Sequence, residues 1–304
     1  MPSPTAPSAD AEGRAEPRSD EPSVREVVVG VDGTECGLGA VRWAAQEAAR
    51  RDAPLRILHA APYLGRRTTP GAAALELAAA RKITAQAYTV ARHTEPGVRT
   101  STEIVPSDPT PTLLRAAVDG QLVVLGSSTT GAADEWVNAS VAVHVAARSP
   151  QPVVVVPRQR SSSPVSRPVA AVLGVGDPEN DERVVTFAAT AAERAGTPLA
   201  VLQTRAAGGH APLVWLQDPE EWERRFPGLE VRRTDLPGAS ASQVLTATAP
   251  SPLIVLSAGH GTLLHRGLDG PHRWLLRHCT SPMALVPPVH RRELDPREEI
   301  IAVG

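Results

Sequence analysis

Residues 125–140, LGSSTTGAADEWVNAS, follow the apolar run QLVVLG and carry the glycines and hydroxyls from which phosphate cradles are made. Glycine lets backbone N–H groups approach an anion, and a helix N-terminus behind such a loop favours negative charge. A loop of this kind at the end of a strand either cradles a phosphate or is the remnant of one that did. Its own charge opposes that use: Asp134 and Glu135 lie inside it, and no Lys or Arg occurs between Gly126 and Arg148. A carboxylate about 4 Å from a phosphate oxygen costs about 1 kcal/mol at the dielectric of water and about 4 kcal/mol at an effective value near 20. Trp136 in the same stretch would either stack on a ligand or cover the edge of a sheet.

Other chemistries find little support. Lys82 is the only lysine and stands inside the alanine-rich helical stretch AAALELAAARKITAQAYTVARH, which sets aside P-loop and Schiff-base mechanisms. There is no G-x-S-x-G, and the glycines of GVDGTECGLG, at 30, 33, 37 and 39, do not fit G-x-G-x-x-G. Cys36 lies near a helix start, where a thiol can become reactive, but a small residue in a turn accounts for it equally. His260, His265, His272 and His278 share a segment without metal-ligand spacing. Asp32 ends an apolar run in an Asp-Gly pair, the signature of a turn aspartate that caps the next helix.

These groups need a frame, and 304 residues suffice for two domains. A net charge of −2 leaves no excess to hold a polyanion, so nucleic acid is excluded as a sequence-independent partner. Two distant cysteines argue for a reducing compartment, and neither an apolar leader nor a run of about 20 apolar residues is present, so the expected location is the cytoplasm, without a membrane. Composition divides the chain into a disordered tail (1–24), a first domain (25–159), a linker (160–167), a second domain (168–288) and a C-terminal tail (289–304).

In the first domain EVVVGVDG, PLRILHA, VRTSTEIV, QLVVLG and PVVVVP read as strands. Helices are expected between them, one over 72–93 and one around 140–147. The second domain repeats the order: PVAAVLGVG, PLAVLQT, LEVRRTDL, SPLIVLSAG and SPMALVPP. Continuous apolar strands alternating with helices imply an α/β fold, here two copies of one parallel sheet covered on both faces.

VVVGVDGT before an amphipathic helix, SDPTPTLL before the fourth strand, and VVLGSS followed thirteen residues later by SVAVHVAARSPQPVVVVP resemble the universal stress protein family (UspA-like) in its tandem two-domain form. The resemblance implies two doubly wound, five-stranded parallel sheets, Rossmann-like and similar to the adenine nucleotide alpha hydrolase fold. It also implies ATP, with Mg²⁺, at the carboxyl ends of the central strands. The family signature is Gly, two residues, Gly, nine residues, Gly, then Ser or Thr. On it Gly126 keeps the first glycine, Thr129 and Ala139 replace the others, and Ser140 keeps the hydroxyl that caps the following helix; Gly131 would supply a displaced turn. Asp32 matches the position beside the ribose and phosphates, where it would help hold Mg²⁺. Val31 and Ala60 match positions at the base, and Leu125, Ser127 and Val141 match the loop walls.

In the second domain the alignment sets Gly176 at the place of Asp32, Ser257 at that of Gly126, His260 at that of Thr129, and Asp269 and Gly270 at those of Ala139 and Ser140. It reads as having lost carboxylate, glycine and capping hydroxyl together. The expectation is a non-enzymatic stress-response protein with a nucleotide site in its first domain and a structural second domain. PVVVVP and SPMALVPP would pair within the chain, and a homodimer and protein partners of unknown kind are further expected associations. The competing expectation is a nucleotide-free protein-interaction module. A slow ATPase would need a water-positioning base that the residues do not supply.

Overall fold

The structure, a computed structural model, describes residues 25–65, 69–127, 133–158, 167–174, 178–204, 214–258, 268 and 270–288; both expected tails and nearly all of the linker lie outside them. The first half runs β1 (Val27–Gly30), α1 (Glu35–Arg50), β2 (Leu55–Ala60), a 3-10 turn (Pro62–Gly65), α2 (Pro70–Thr94), β3 (Thr100–Val105), α3 (Pro109–Asp119), β4 (Leu122–Ser127), α4 (Ala133–Arg148) and β5 (Val153–Pro157). The second runs β6 (Val169–Leu173), α5 (Pro178–Ala195), β7 (Leu199–Gln203), α6 (Val214–Gln217), α7 (Pro219–Arg225), β8 (Val231–Asp235), α8 (Ala241–Thr248), β9 (Ile254–Ser257), α9 (Gly270–His278) and β10 (Met283–Val286).

All ten strands belong to one sheet, ordered β3-β2-β1-β4-β5-β10-β9-β6-β7-β8. Each half is parallel with the order 3-2-1-4-5, and the two meet where β5 and β10 pair antiparallel, Met283 against Val155 and Leu285 against Val153. The apolar runs explain the interior strands: Val27, Val28 and Val29 of β1 and Val123 and Val124 of β4 are fully buried, which places protein on both faces. The outermost strands β3 and β8 are polar and partly exposed, and Arg56 of β2 reaches Glu103 of β3. Charge of this kind blunts an edge that would otherwise recruit another strand.

Two apolar layers sandwich the sheet. On one face Leu38, Val41 and Ala44 of α1 share a cluster with Val184, Val185 and Ala188 of α5. On the other, Leu113 and Ala117 of α3 and Val145 of α4 join Leu275 and Leu276 of α9. Both layers cross the joint between the halves, through Val154 and Ala284 on one side and Val155 and Met283 on the other.

The helix boundaries depart from the sequence pattern in two places. The helix expected around 140–147 already begins at Ala133. Among the described residues of the second half, the short helices α6 and α7 stand between β7 and β8 where the first half has the long α2; Trp222 stacks on Trp215 and lies tilted against Phe226.

Candidate functional site

The carboxyl ends of β1, β2 and β4 enclose a cleft lined by Gly30, Val31, Asp32, Gly37, His59, Ala60, Leu125 and Gly126. Pro109 and Leu113 of α3 and Val141 and Ala142 of α4 line it as well. This is the point where the chain order reverses, since β1 lies between β2 and β4 and the chain leaves it in opposite directions. Of the residues singled out in the sequence, Val31, Asp32, Ala60, Leu125, Gly126 and Val141 come together there. Ser127, the last residue of β4, is buried beside Pro157 and is not part of the lining. Thr129 and Gly131 lie outside the described residues.

Asp32 is held by the turn that leads into α1. Its Oδ1 accepts from the backbone N–H of Thr34 at 2.9 Å and from the Thr34 hydroxyl at 2.7 Å. The Thr34 Oγ1 then accepts from the N–H of Gly37 at 3.1 Å and caps α1. Of the two roles read for Asp32, the turn is built into the structure, while the cap of α1 falls to Thr34; losing such a cap costs about 1 kcal/mol. Thr34 was missed in the sequence, although a Thr just before an amphipathic run is an ordinary capping signal. Gly37 has a spatial reason: a Cβ there would meet Asp32 Oδ1 at 2.8 Å.

Gly126 and Ser140 differ from expectation. Gly126 is not in the left-handed region, and a Cβ on it would lie 2.5 Å from the carbonyl oxygen of Cys36 and 2.8 Å from the nitrogen of Gly37. The glycine is required by the close approach of β4 to the start of α1, not by a turn that only glycine can make. Ser140 is not a helix cap, because α4 begins at Ala133 and carries Ala139 and Ser140 inside it. Asp134 and Glu135 consequently fall in the first turn of α4 instead of an open loop.

His59 is the other residue that the sequence did not disclose, a polar group embedded in the apolar run LRILHA. It is buried, and its Nδ1 lies 2.8 Å from the carbonyl oxygen of Val31, which can only accept, so Nδ1 carries the proton. In the neutral ring Nε2 then accepts from the hydroxyl of Tyr63 at 3.1 Å. Burial, together with the nearby Glu76 carboxylate, pushes the Tyr63 phenol above its ordinary pKa and keeps that donor protonated. The chain Tyr63–His59–Val31 fixes the end of β1 at the floor of the cleft.

Among the described residues, the lining includes one carboxylate, Asp32, and no Lys or Arg. Among the described residues no group of three or more His, Cys, Asp or Glu is placed to hold a metal ion. Nor, among them, is any helix long and apolar enough to cross a membrane.

The strand register revises the comparison of the halves. Val27 pairs with Leu55 and Val169 with Leu199, and the N–H groups of Val27 and Val169 donate to Pro54 and Pro198, the residues just before those partners. Val169 therefore takes the place of Val27, and Gly174, two residues before Gly176, takes that of Asp32. Ser257 stands at the place of Gly126, since Val28 faces Val123 and Ala170 faces Ile254. Gly176, His260 and Asp269 lie outside the described residues, and Gly270 opens α9. The carboxylate, moreover, is not lost: both oxygens of Asp181 lie 3.2 Å from the N–H of Gly174.

Comparison with known proteins agrees with this architecture. Residues 23–157 match the sequence model of the Universal stress protein family. A universal stress protein of Mycobacterium tuberculosis strain H37Rv is 28% identical over 270 residues, covering 86% of this chain and 95% of the relative. One from Mycolicibacterium smegmatis is 26% identical over 289 residues, covering 86% and 97%. Among solved structures, a universal stress protein from Archaeoglobus fulgidus superposes with a TM-score of 0.68 at 15% identity, over 86% of this chain and 96% of that one. With residues 23–157 matching that sequence model and relatives that align over nearly their whole length, the chain carries a universal stress protein domain in its first half and is similar to universal stress proteins over 86% of its length.

Proposed function

We propose that this stress-response protein is non-enzymatic and cytoplasmic. In this reading its first half binds an adenine nucleotide, ATP with Mg²⁺, in the cleft between β1 and β4, and its second half is structural. The observation that carries the reading is the convergence of Val31, Asp32, Ala60, Leu125, Gly126 and Val141 on one cleft at the switch point of the sheet. The apolar wall of Val31, Ala60 and Leu125 suits the face of a base, and Asp32 at the rim is the group to hold Mg²⁺. The phosphates are served less well, because no cation lines the cleft among the described residues. Binding is accordingly weak and dependent on Mg²⁺. Among the described lining residues Asp32 and His59 could act as bases, but Asp32 Oδ1 is engaged by Thr34 and both His59 nitrogens by Val31 and Tyr63, which supports a binding role over hydrolysis.

Calorimetric titration of Mg-ATP into the full chain tests this. Saturable heat at one site per chain, abolished in Asp32→Ala, is expected; no heat up to millimolar nucleotide would overturn it. The second reading, a nucleotide-free module for protein partners, is favoured by one specific pair of facts. Gly126 is explained by the Cys36 carbonyl and Asp32 by the Thr34 turn, so neither residue needs a ligand to account for it.

A further inference from the structure

The two halves differ most at the positions that open the first cleft. Gly37 and Ala142 line that cleft, the first on α1 and the second on α4. Their counterparts follow from the hydrogen bonds at the far ends of the same helices. After α1 the N–H of Ala53 bonds to Ala48, and after α5 that of Thr197 bonds to Ala192. Counting back from Ala48 and Ala192 sets Asp181 at the place of Gly37. After α4, Ser149 donates its N–H to Val145 and its hydroxyl to Gln151; after α9, Cys279 donates its N–H to Leu275 and its thiol to Ser281. Counting back from Ser149 and Cys279 sets His272 at the place of Ala142.

Both replacements put a large polar side chain where the first half has a hydrogen or a methyl group, and both reach the strand ends. The Asp181 carboxylate straddles the N–H of Gly174, the counterpart of Asp32. His272 is 1% exposed, and its Nε2–H donates to the carbonyl oxygen of Ser257, the counterpart of Gly126, at 2.8 Å. The exchange at the first position is reciprocal. Strand-end Asp32 faces helix Gly37 in the first half, and strand-end Gly174 faces helix Asp181 in the second. Gly174 has φ of 89°, a left-handed conformation that a residue with a side chain adopts only under strain, so the carboxylate at this point comes from the helix.

We infer that the second half retains the cleft of the first as a self-occupied site. The Asp181 carboxylate stands on the backbone N–H of Gly174, and the His272 imidazole fills the space that Ala142 leaves open in the first cleft. Each is a covalently tethered occupant already bonded to the strand ends, so a free ligand competes against groups of very high effective concentration. This holds whether or not the first cleft takes a nucleotide, and its test does not involve nucleotide.

In the wild-type full chain, hydrogen exchange read at the Gly174 amide should show protection that Asp181→Ala abolishes. A freely exchanging Gly174 amide in the wild type would overturn the proposal without any variant. In parallel, His272→Ala should melt at lower temperature, and imidazole at tens of millimolar should raise its midpoint while leaving that of the wild type unchanged. Acetate should do the same for Asp181→Ala against a chloride control of equal ionic strength. Equal shifts in variant and wild type, or no shift in either variant, would mean that the side chains pack against the strand ends without filling a ligand-shaped space.

Discussion

At Gly126 one hydrogen atom separates two accounts of the loop after β4. If the glycine exists for a phosphate, adding a methyl group should harm binding and leave the fold unmoved. The structure gives the opposite order, because a Cβ would lie 2.5 Å from the Cys36 carbonyl oxygen, and backbone cannot rotate aside as a side chain can. Gly126→Ala is therefore expected to lose about 1–3 kcal/mol of stability with no ligand present, the usual cost of overpacking. Gly39→Ala is the control: it lies in α1, nothing stands within 4 Å of its Cβ, and it should gain about 0.5–1 kcal/mol. Urea denaturation reads both, and an unchanged midpoint for Gly126→Ala would return the residue to the ligand. Val31, Ala60 and Leu125 were legible through the family resemblance, which set them at positions lining the cleft, and each stands near the carboxyl end of a strand. His59 and the pair Gly37 and Asp181 were not, because their importance lies in hydrogen bonds and close approaches between elements that no spacing records; Thr34, a local cap, left an ordinary signal in the sequence.

At the scale of the element, the repeat supplies its own controls. α1 ends at Arg50 with Arg51 as its C-cap, after which Asp52 adopts φ of 48° while the N–H of Ala53 closes on Ala48. At the same point after α5 stands Gly196, with φ of 62° and the N–H of Thr197 closing on Ala192. One half thus uses the residue suited to a left-handed C-terminal cap and the other tolerates an aspartate. The left-handed conformation costs Asp52 about 1–2 kcal/mol, partly offset by the greater backbone entropy that glycine would lose on folding. Asp52→Gly should gain about 0.5–1 kcal/mol on that balance, and Gly196→Asp, which has open space around its Cβ, should lose a similar amount. Thermal unfolding of the two variants checks the pair, and a loss for Asp52→Gly would show that its carboxylate stabilises the helix end beyond the strain. The helices themselves were readable from their apolar spacing. The onset of α4 at Ala133 was not, because the stretch from Ala133 to Ser140 lacks a run of apolar residues at helical intervals.

At the scale of the molecule, five apolar runs repeated in one order disclose two sheets, whereas their union into one sheet depends on the register between β5 and β10. Val153, Val154 and Val155 of β5 are buried on both faces, and Met283, Ala284 and Leu285 of β10 are their partners. Without β10, β5 would be an unpaired edge, apolar on both sides, and such an edge associates. β5 and β10 pair antiparallel about a local two-fold, so another β5 is geometrically equivalent to β10 as a partner. Residues 25–158 expressed alone are therefore expected to run as a dimer in light scattering at micromolar concentration. Val154→Lys should disperse that dimer, because each copy would bring a charge into the apolar layer where Val154 packs. A folded, monomeric fragment with Val154 intact would show that β5 does not need a strand beside it, and that the antiparallel joint is held by the helix layers instead of by the sheet.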